Sequence, residues 1–306
     1  MASPQQNLKA DLHHRAEVLS AKLPPLMVAA ERVAATVSQG VHGRKRVGQG
    51  ETFWQFQRYE RGDPIQQIDW RRSAKSDVVY LRENEWEAAQ SVWLWCDASP
   101  SMQYSSSKQY PTKAEQAEML TFALASLLVR GGEHVTPLGA GITPTTGRTA
   151  LFLLAAAIEI TEATSKDQPS QSLPPFEPVP SHGRVVLMSD FLEPLDDINR
   201  AVGALADRGV DGHILQIVDP AEEDLPFKGR TKFEGMEDEG DALIGKVEGV
   251  QKDYQTEFAA QRQGLHAIAR TAGWSFANYV TDQSAETALL SLYMALTASR
   301  DLTGIG

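Results

Sequence analysis

From residue 78 onward, short β-prone runs alternate with helical segments. A chain so patterned folds into a parallel sheet with helices on both of its faces. Runs 78–81, 92–96, 184–188, 213–218 and 274–280 read as strands. Segments Lys113–Arg130, 149–160, 195–208, 253–271 and 285–296 read as helices. The run Val185-Val186-Leu187-Met188 is continuously apolar, as a strand covered on both faces must be. Residues 122–129 are apolar nearly all round, so that helix packs on two sides before Gly131-Gly132 stops it. Ile198, Ala201, Val202 and Leu205 form one stripe on the helix that Gly209 ends. The expected fold class is therefore α/β, a doubly wound, Rossmann-like sheet. Ligands of such sheets bind at the carboxyl ends of the strands.

The flanking sequence is different in character. Residues 1–40 read as two helices broken by Pro24-Pro25, with Gly40 as a stop. Residues 41–83 mix glycine, arginine and aromatics without a helical period, and read as loops, short strands and turns, with Gly62-Asp63-Pro64 a turn signal. The third part, 84–300, carries the sheet. Within it, 164–182 is Pro/Ser-rich and reads as an exposed loop, and 219–250 is an acidic, Gly-rich excursion with hairpin character.

Composition narrows the function. Lys+Arg number 29 against Asp+Glu 40, a net charge of −11 over 306 residues. Nucleic acid as the main partner would call for clustered positive charge, so none is expected. Arg44-Lys45-Arg46 is a local exception and reads as a solvated or ion-paired face. Cys96 stands alone, which excludes an intrachain disulfide and a cysteine-based zinc site and points to the reducing cytoplasm. The longest apolar stretches, near 119–129 and 150–160, fall short of the roughly 18 residues of a membrane span. With no apolar leader visible, a soluble cytoplasmic protein without direct membrane insertion is expected.

The run 92–96 passes directly into Asp97-Ala98-Ser99-Pro100-Ser101, a D-x-S-x-S sequence at the carboxyl end of a strand. Oxygen side chains at alternate positions of a tight turn can point to one centre. Carboxylate and hydroxyl oxygens suit Mg²⁺ or Mn²⁺ rather than zinc. A second apolar strand ends in Ser189-Asp190, and Asp190 can reach the same centre because parallel strand ends lie close together. Between them, Gly141 to Thr149 offers hydroxyls. Thr149, read as the N-cap of the following helix, is the first choice and Thr146 the next. The candidate metal set is Asp97, Ser99, Ser101, Thr149 and Asp190. The competing reading has Asp97 and Ser99 merely capping backbone N–H groups.

This set resembles the metal-ion-dependent adhesion site of von Willebrand factor A domains, which combines D-x-S-x-S, a threonine and a later aspartate. Upstream, an ordered series strengthens a resemblance: Gly48-Gln49-Gly50, Phe53, Arg58-Tyr59, Gly62-Asp63, Ile68-Asp69-Trp70, Ser73-Ala74-Lys75, Leu81-Arg82-Glu83 and Glu85. Downstream, Asp219-Pro220, Leu225-Pro226-Phe227 and Phe233-Glu234 continue it. Over residues 40–298 the chain resembles the bacterial family called domain of unknown function 58, whose members are similar to von Willebrand A domains. Pro64 stands where the family commonly carries a second acidic residue after Gly-Asp. The resemblance implies a von Willebrand A-like fold and a cytoplasmic adaptor or co-chaperone of a MoxR-type AAA+ ATPase, acting on an unidentified client protein. Arg58, Asp63 and Asp69 are candidate partner contacts; equally, Asp69 can pair with an arginine while Trp70 fills the core.

A bound divalent ion with two carboxylates at most is under-neutralised, and its open position favours a partner's carboxylate. No histidine adjoins the motif, so binding rather than catalysis is expected and the chain is read as not an enzyme. The alternatives are a metal-dependent phosphoester hydrolase and a scaffold with an empty site. Gly141 to Gly147 is no Walker A loop, having five residues between its glycines and Arg148 in place of lysine. His13-His14 reads as a solvated pair, His134 and His213 as structural, and Cys96 as buried and inert.

Overall fold

The computed structural model describes residues 25–41, 52–58, 73–75, 78–85, 89–165, 172–236 and 240–298. The chain divides into two units, His42–Ala89 and the remainder. The smaller unit contains a two-stranded antiparallel sheet, β1 (Thr52–Arg58) with β2 (Tyr80–Glu85), whose register shifts between Phe53 and Gln55. β2 starts two residues later than apolarity suggested, because its pairing runs through the polar Arg82, Glu83 and Asn84.

The larger unit is a five-stranded, wholly parallel sheet. Its strands are β3 (Ser91–Cys96), β4 (His134–Pro137), β5 (Arg184–Ser189), β6 (Asp211–Val218) and β9 (Ser275–Val280), in the order β4-β3-β5-β6-β9. A separate small hairpin, β7 (Thr231–Glu234) with β8 (Asp241–Ile244), lies in the 219–250 excursion. The helices are α1 (Pro25–Val41), α2 (Lys113–Arg130), α3 (Gly147–Ser165), α4 (Leu195–Ala206), the short α5 (Pro220–Asp224), α6 (Gln251–Thr271) and α7 (Ala285–Ala298).

Successive side chains of a strand point to opposite faces, and the two cores follow that alternation. Val92, Leu94, Val186, Met188, Leu215 and Ile217 face α1, α2, α3 and α7. Trp93, Trp95, Val185, Leu187 and Ile214 face α4 and α6. Two apolar faces on one strand explain why β3 and β5 read as continuous runs. α1 is part of this unit: Ala30, Ala34 and Val37 are buried in the first core, and Glu31 pairs with Arg130 and accepts from the Ser126 hydroxyl at 2.6 Å.

β4 escaped the sequence reading because it is four residues long and ends in proline. It joins β3 at the sheet edge. From β3 the chain winds one way to β4, then crosses back over β3 to place β5 on its other side. The order therefore reverses between β3 and β5, and Asp97 and Asp190 stand at the carboxyl ends of these two strands. A crevice at such a switch point is where doubly wound sheets bind ligands.

Two sequence expectations, for Cys96 and Thr149, meet a difference here, while His213 is structural as read. Cys96 is half-buried rather than inaccessible, because it lines a cavity of about 240 Å³ with Thr121, Leu138 and Leu154. His213 is buried in β6 with Nδ1 2.7 Å from the Ser275 hydroxyl, and burial lowers its pKa to about 4, so it stays neutral. Thr149 is not an N-cap. A glycine with φ of 70°, Gly147, turns the chain into α3 two residues earlier. Thr149 then falls in the first turn, exposed, and Thr146 immediately precedes the helix.

Candidate functional site

The backbone of Asp97 prolongs the β3–β5 ladder, its N–H donating to Met188 O at 2.9 Å. Its side chain is then fixed from both sides. Oδ1 accepts the Ser99 N–H at 2.8 Å, and Oδ2 accepts the Ser189 hydroxyl at 2.6 Å. Pro100 opens a 3-10 turn over Pro100–Gln103, anchored by the fully buried Met102. That turn brings the Ser99 and Ser101 hydroxyls to 3.1 Å from each other. The Ser101 hydroxyl donates to Asp190 Oδ2 at 2.8 Å, closing the cluster across 89 residues of sequence.

The turn after β5 is strained and tightly held. Phe191 has φ of 52°, a left-handed conformation that costs a non-glycine residue about 1 kcal/mol or more. Several contacts enforce it. The Phe191 N–H donates to the Ser189 hydroxyl oxygen at 2.9 Å, and Gln216 Nε2 donates to Asp190 O at 3.2 Å. Gln261 Nε2 from α6 donates to both Phe191 O and Glu193 O at 2.9 Å. Strain retained this way keeps a side chain in one place, here Asp190.

The electrostatics are those of crowded, buried charge. Asp97 is 1% exposed, and its pKa is raised from 3.8 to about 7. Burial is the larger cause and repulsion from Asp190 the next, against hydrogen bonds from Ser189 and Ser99 that favour the carboxylate. Lys113, the first residue of α2, is also 1% exposed and places its ammonium 2.8 Å from Asp190 Oδ2 and 2.5 Å from Glu222 Oε1. Burial opposes that charge, but the two carboxylates outweigh it and hold the lysine above its usual pKa. Glu222 belongs to the capping box that starts α5: its Oε2 accepts the Asp219 N–H at 2.9 Å, and Asp219 Oδ1 accepts the Ala221 N–H at 2.8 Å. The other oxygen of Asp219 accepts the Ser106 N–H at 2.9 Å. The ends of β3, β5 and β6 are thus tied into one polar network.

Of the five metal candidates, four (Asp97, Ser99, Ser101 and Asp190) are gathered by these hydrogen bonds. Thr149 makes none of them. Arg58 ends β1 in the smaller unit, and Asp63 and Asp69 lie outside the described residues. The sequence reading missed Lys113, Ser189, Asp219 and Glu222. Lys113 did carry a signal: a lysine in the first turn meets the positive end of the helix dipole, so it needs a carboxylate nearby.

The donors present suit a hard divalent cation. They are oxygens throughout, two carboxylates and two hydroxyls. The repulsion between Asp97 and Asp190 that raises Asp97 is the repulsion a cation between them would relieve. Among the described residues no three His, Cys, Asp or Glu side chains gather as a metal-binding group, so hydroxyls and water would have to complete the coordination. His213, bonded to Ser275 within the sheet, is not among the residues of this network.

The family model described as "Protein of unknown function DUF58" matches residues 55–264. No curated protein matches. Among solved structures, the chain is similar to the conserved hypothetical protein BatB from Bacteroides thetaiotaomicron, at 17% identity and a TM-score of 0.36, covering 66% of this chain and 96% of that one. An aerotolerance-related membrane protein from Bacteroides fragilis NCTC 9343 matches at 15% identity and a TM-score of 0.35, covering 69% of this chain and 100% of that one. The SpRpn10 VWA domain matches at 12% identity and a TM-score of 0.33, covering 67% and 95%. No helix among the described residues is long and apolar enough to cross a membrane.

Proposed function

This chain belongs to the DUF58 family, and we propose that it is a non-enzymatic interaction protein that docks partners through the cluster at Asp97. Asp97, Ser99, Ser101 and Asp190 hold a divalent cation, Mg²⁺ or Mn²⁺. When bound, the ion supplies an electrophilic open position for a carboxylate. The observation that carries this reading is the convergence of buried and half-buried oxygen side chains from the ends of β3 and β5 and the 3-10 turn at the reversal of strand order, with Asp97 and Asp190 repelling each other.

The chain's own residues divide the work. Asp97 and Asp190 supply negative charge. The two serines fix the geometry, each held by its hydroxyl contacts. Ser189 and the Ser99 N–H keep Asp97 from rotating away. Because Lys113 already uses part of the charge of Asp190, the ion stays under-neutralised and favours an incoming anion.

The partner that the family resemblance supports is a MoxR-type AAA+ ATPase, with the chain as its adaptor or co-chaperone toward a client protein. Arg58, Asp63 and Asp69 would add ionic contacts to that docking. The lone cysteine supports a cytoplasmic setting. The test is capture of the ATPase encoded nearest to this gene, in Mg²⁺ and in excess chelator. A complex is expected with the native chain in Mg²⁺, and its loss in chelator and in Asp97→Ala. A complex of the same strength in the folded Asp97→Ala chain would exclude an ion-bridged contact.

A further inference from the structure

Lys113 is an unusual neighbour for a cation site. Its ammonium and the Ser101 hydroxyl share one oxygen, Asp190 Oδ2, each at 2.8 Å. The lysine is held there by more than that oxygen. Glu222 accepts a second bond at 2.5 Å, and the ring of Tyr104 lies 5.8 Å from the ammonium. Its backbone is pinned as well, the Lys113 N–H donating to Tyr104 O at 3.2 Å while Thr112 and Glu115 form a capping box around it. Glu222 is itself fixed by the Asp219 N–H and, through its carbonyl, by the Tyr254 hydroxyl at 2.8 Å. An ammonium so placed cannot leave without breaking two charge-assisted bonds in a buried setting, where such bonds are strong.

We propose that Lys113 is a tethered competitor that sets the cluster's affinity for its cation. A divalent ion and the ammonium would draw on the same Asp190 carboxylate and repel each other at close range. The consequence is a weak ion site, filled firmly only when a partner's carboxylate adds the missing negative charge. Ion and partner then bind together rather than in sequence. This inference rests on the cation reading above and adds to it the residue that tunes occupancy.

The test is titration of Mn²⁺ into the chelator-stripped full chain, followed by calorimetry and by electron paramagnetic resonance of the free ion, with melting curves at each ion concentration. Lys113→Met alone leaves the buried Asp190 and Glu222 carboxylates without their ammonium partner, which is strongly destabilising. The informative variants are therefore Lys113→Met with Glu222→Gln, which removes the ammonium and one carboxylate charge while keeping an acceptor for the Asp219 N–H, and Lys113→Gln, which keeps a donor without charge. Both are expected to bind Mn²⁺ at least about tenfold tighter than the native chain, and to gain more melting temperature from it. Tight binding in the variants with none in the native chain equally supports the inference. Native binding with equal or weaker binding in both variants overturns it and leaves the cation reading standing. Absence of binding in all three chains overturns both.

Discussion

Replacing Asp97 by asparagine is expected to stabilise the ion-free protein at pH 8 by about 2–4 kcal/mol. The carboxylate is 1% exposed, and its pKa stands at about 7 against 3.8 for an ordinary aspartate. The folded state therefore binds this proton more tightly than the unfolded chain does. Stability from that source is complete below about pH 4 and is lost as the pH rises through 7. Asparagine stays neutral across that range. It keeps an acceptor for the Ser99 N–H, and its amide can donate to the Ser189 hydroxyl oxygen. The gain should thus be largest at pH 8 and shrink toward zero near pH 4. Urea unfolding in chelator at both pH values measures it. An asparagine variant less stable than the native chain at pH 8 would contradict the burial and repulsion assigned to Asp97.

The second large effect lies away from the cluster. Gly212→Ala is expected to destabilise the larger unit by about 3 kcal/mol. A Cβ on Gly212 would lie 2.2 Å from Cδ2 of Trp274 and 2.3 Å from its Cε3. The indole cannot step aside cheaply. It is buried in the second core, and its Nε1 donates to Val210 O at 2.8 Å. Gly212 pairs with Val185 of β5, so a shift there would reach the strand that carries Asp190. A second change, Trp274→Leu, should recover part of the loss, because the two residues share one contact. Urea midpoints of the four chains give the coupling; a loss below about 1 kcal/mol would show that the strand yields at little cost.

Both effects follow from how densely the sheet is covered, and that density is also what made it legible. β3 and β5 are apolar at consecutive positions because Val92 and Leu94 enter one core while Trp93 and Trp95 enter the other. Helix α2 was legible to the residue, Lys113 to Arg130, since Gly131 and Gly132 mark its end. β4 was not, because four residues ending in proline carry too little pattern. The start of α3 was misplaced because a glycine at positive φ, rather than a threonine cap, sets it.

The cluster divides in the same way. Asp97, Ser99 and Ser101 are local in sequence, and Asp190 ends an apolar strand, so their meeting follows from strand parallelism. Glu222 lies 109 residues from Lys113 and inside an acidic excursion where no single carboxylate stands out. Its capping box with Asp219 was readable as D-x-x-E after Val218. What was not readable is that the box would be turned inward, so that one glutamate both starts a helix and neutralises a lysine.

That placement gives the site its character. Lys113, the carboxylates of Asp97, Asp190, Asp219 and Glu222, and the hydroxyls of Ser99, Ser101 and Ser189 belong to one hydrogen-bonded network at the strand ends. The most direct test of that account is calorimetric titration of Mg²⁺ into the chelator-stripped chain beside Asp97→Asn. The account predicts about one ion per native chain and none for the asparagine variant. Equal uptake by the two chains, or none by the native chain at millimolar ion, would contradict it.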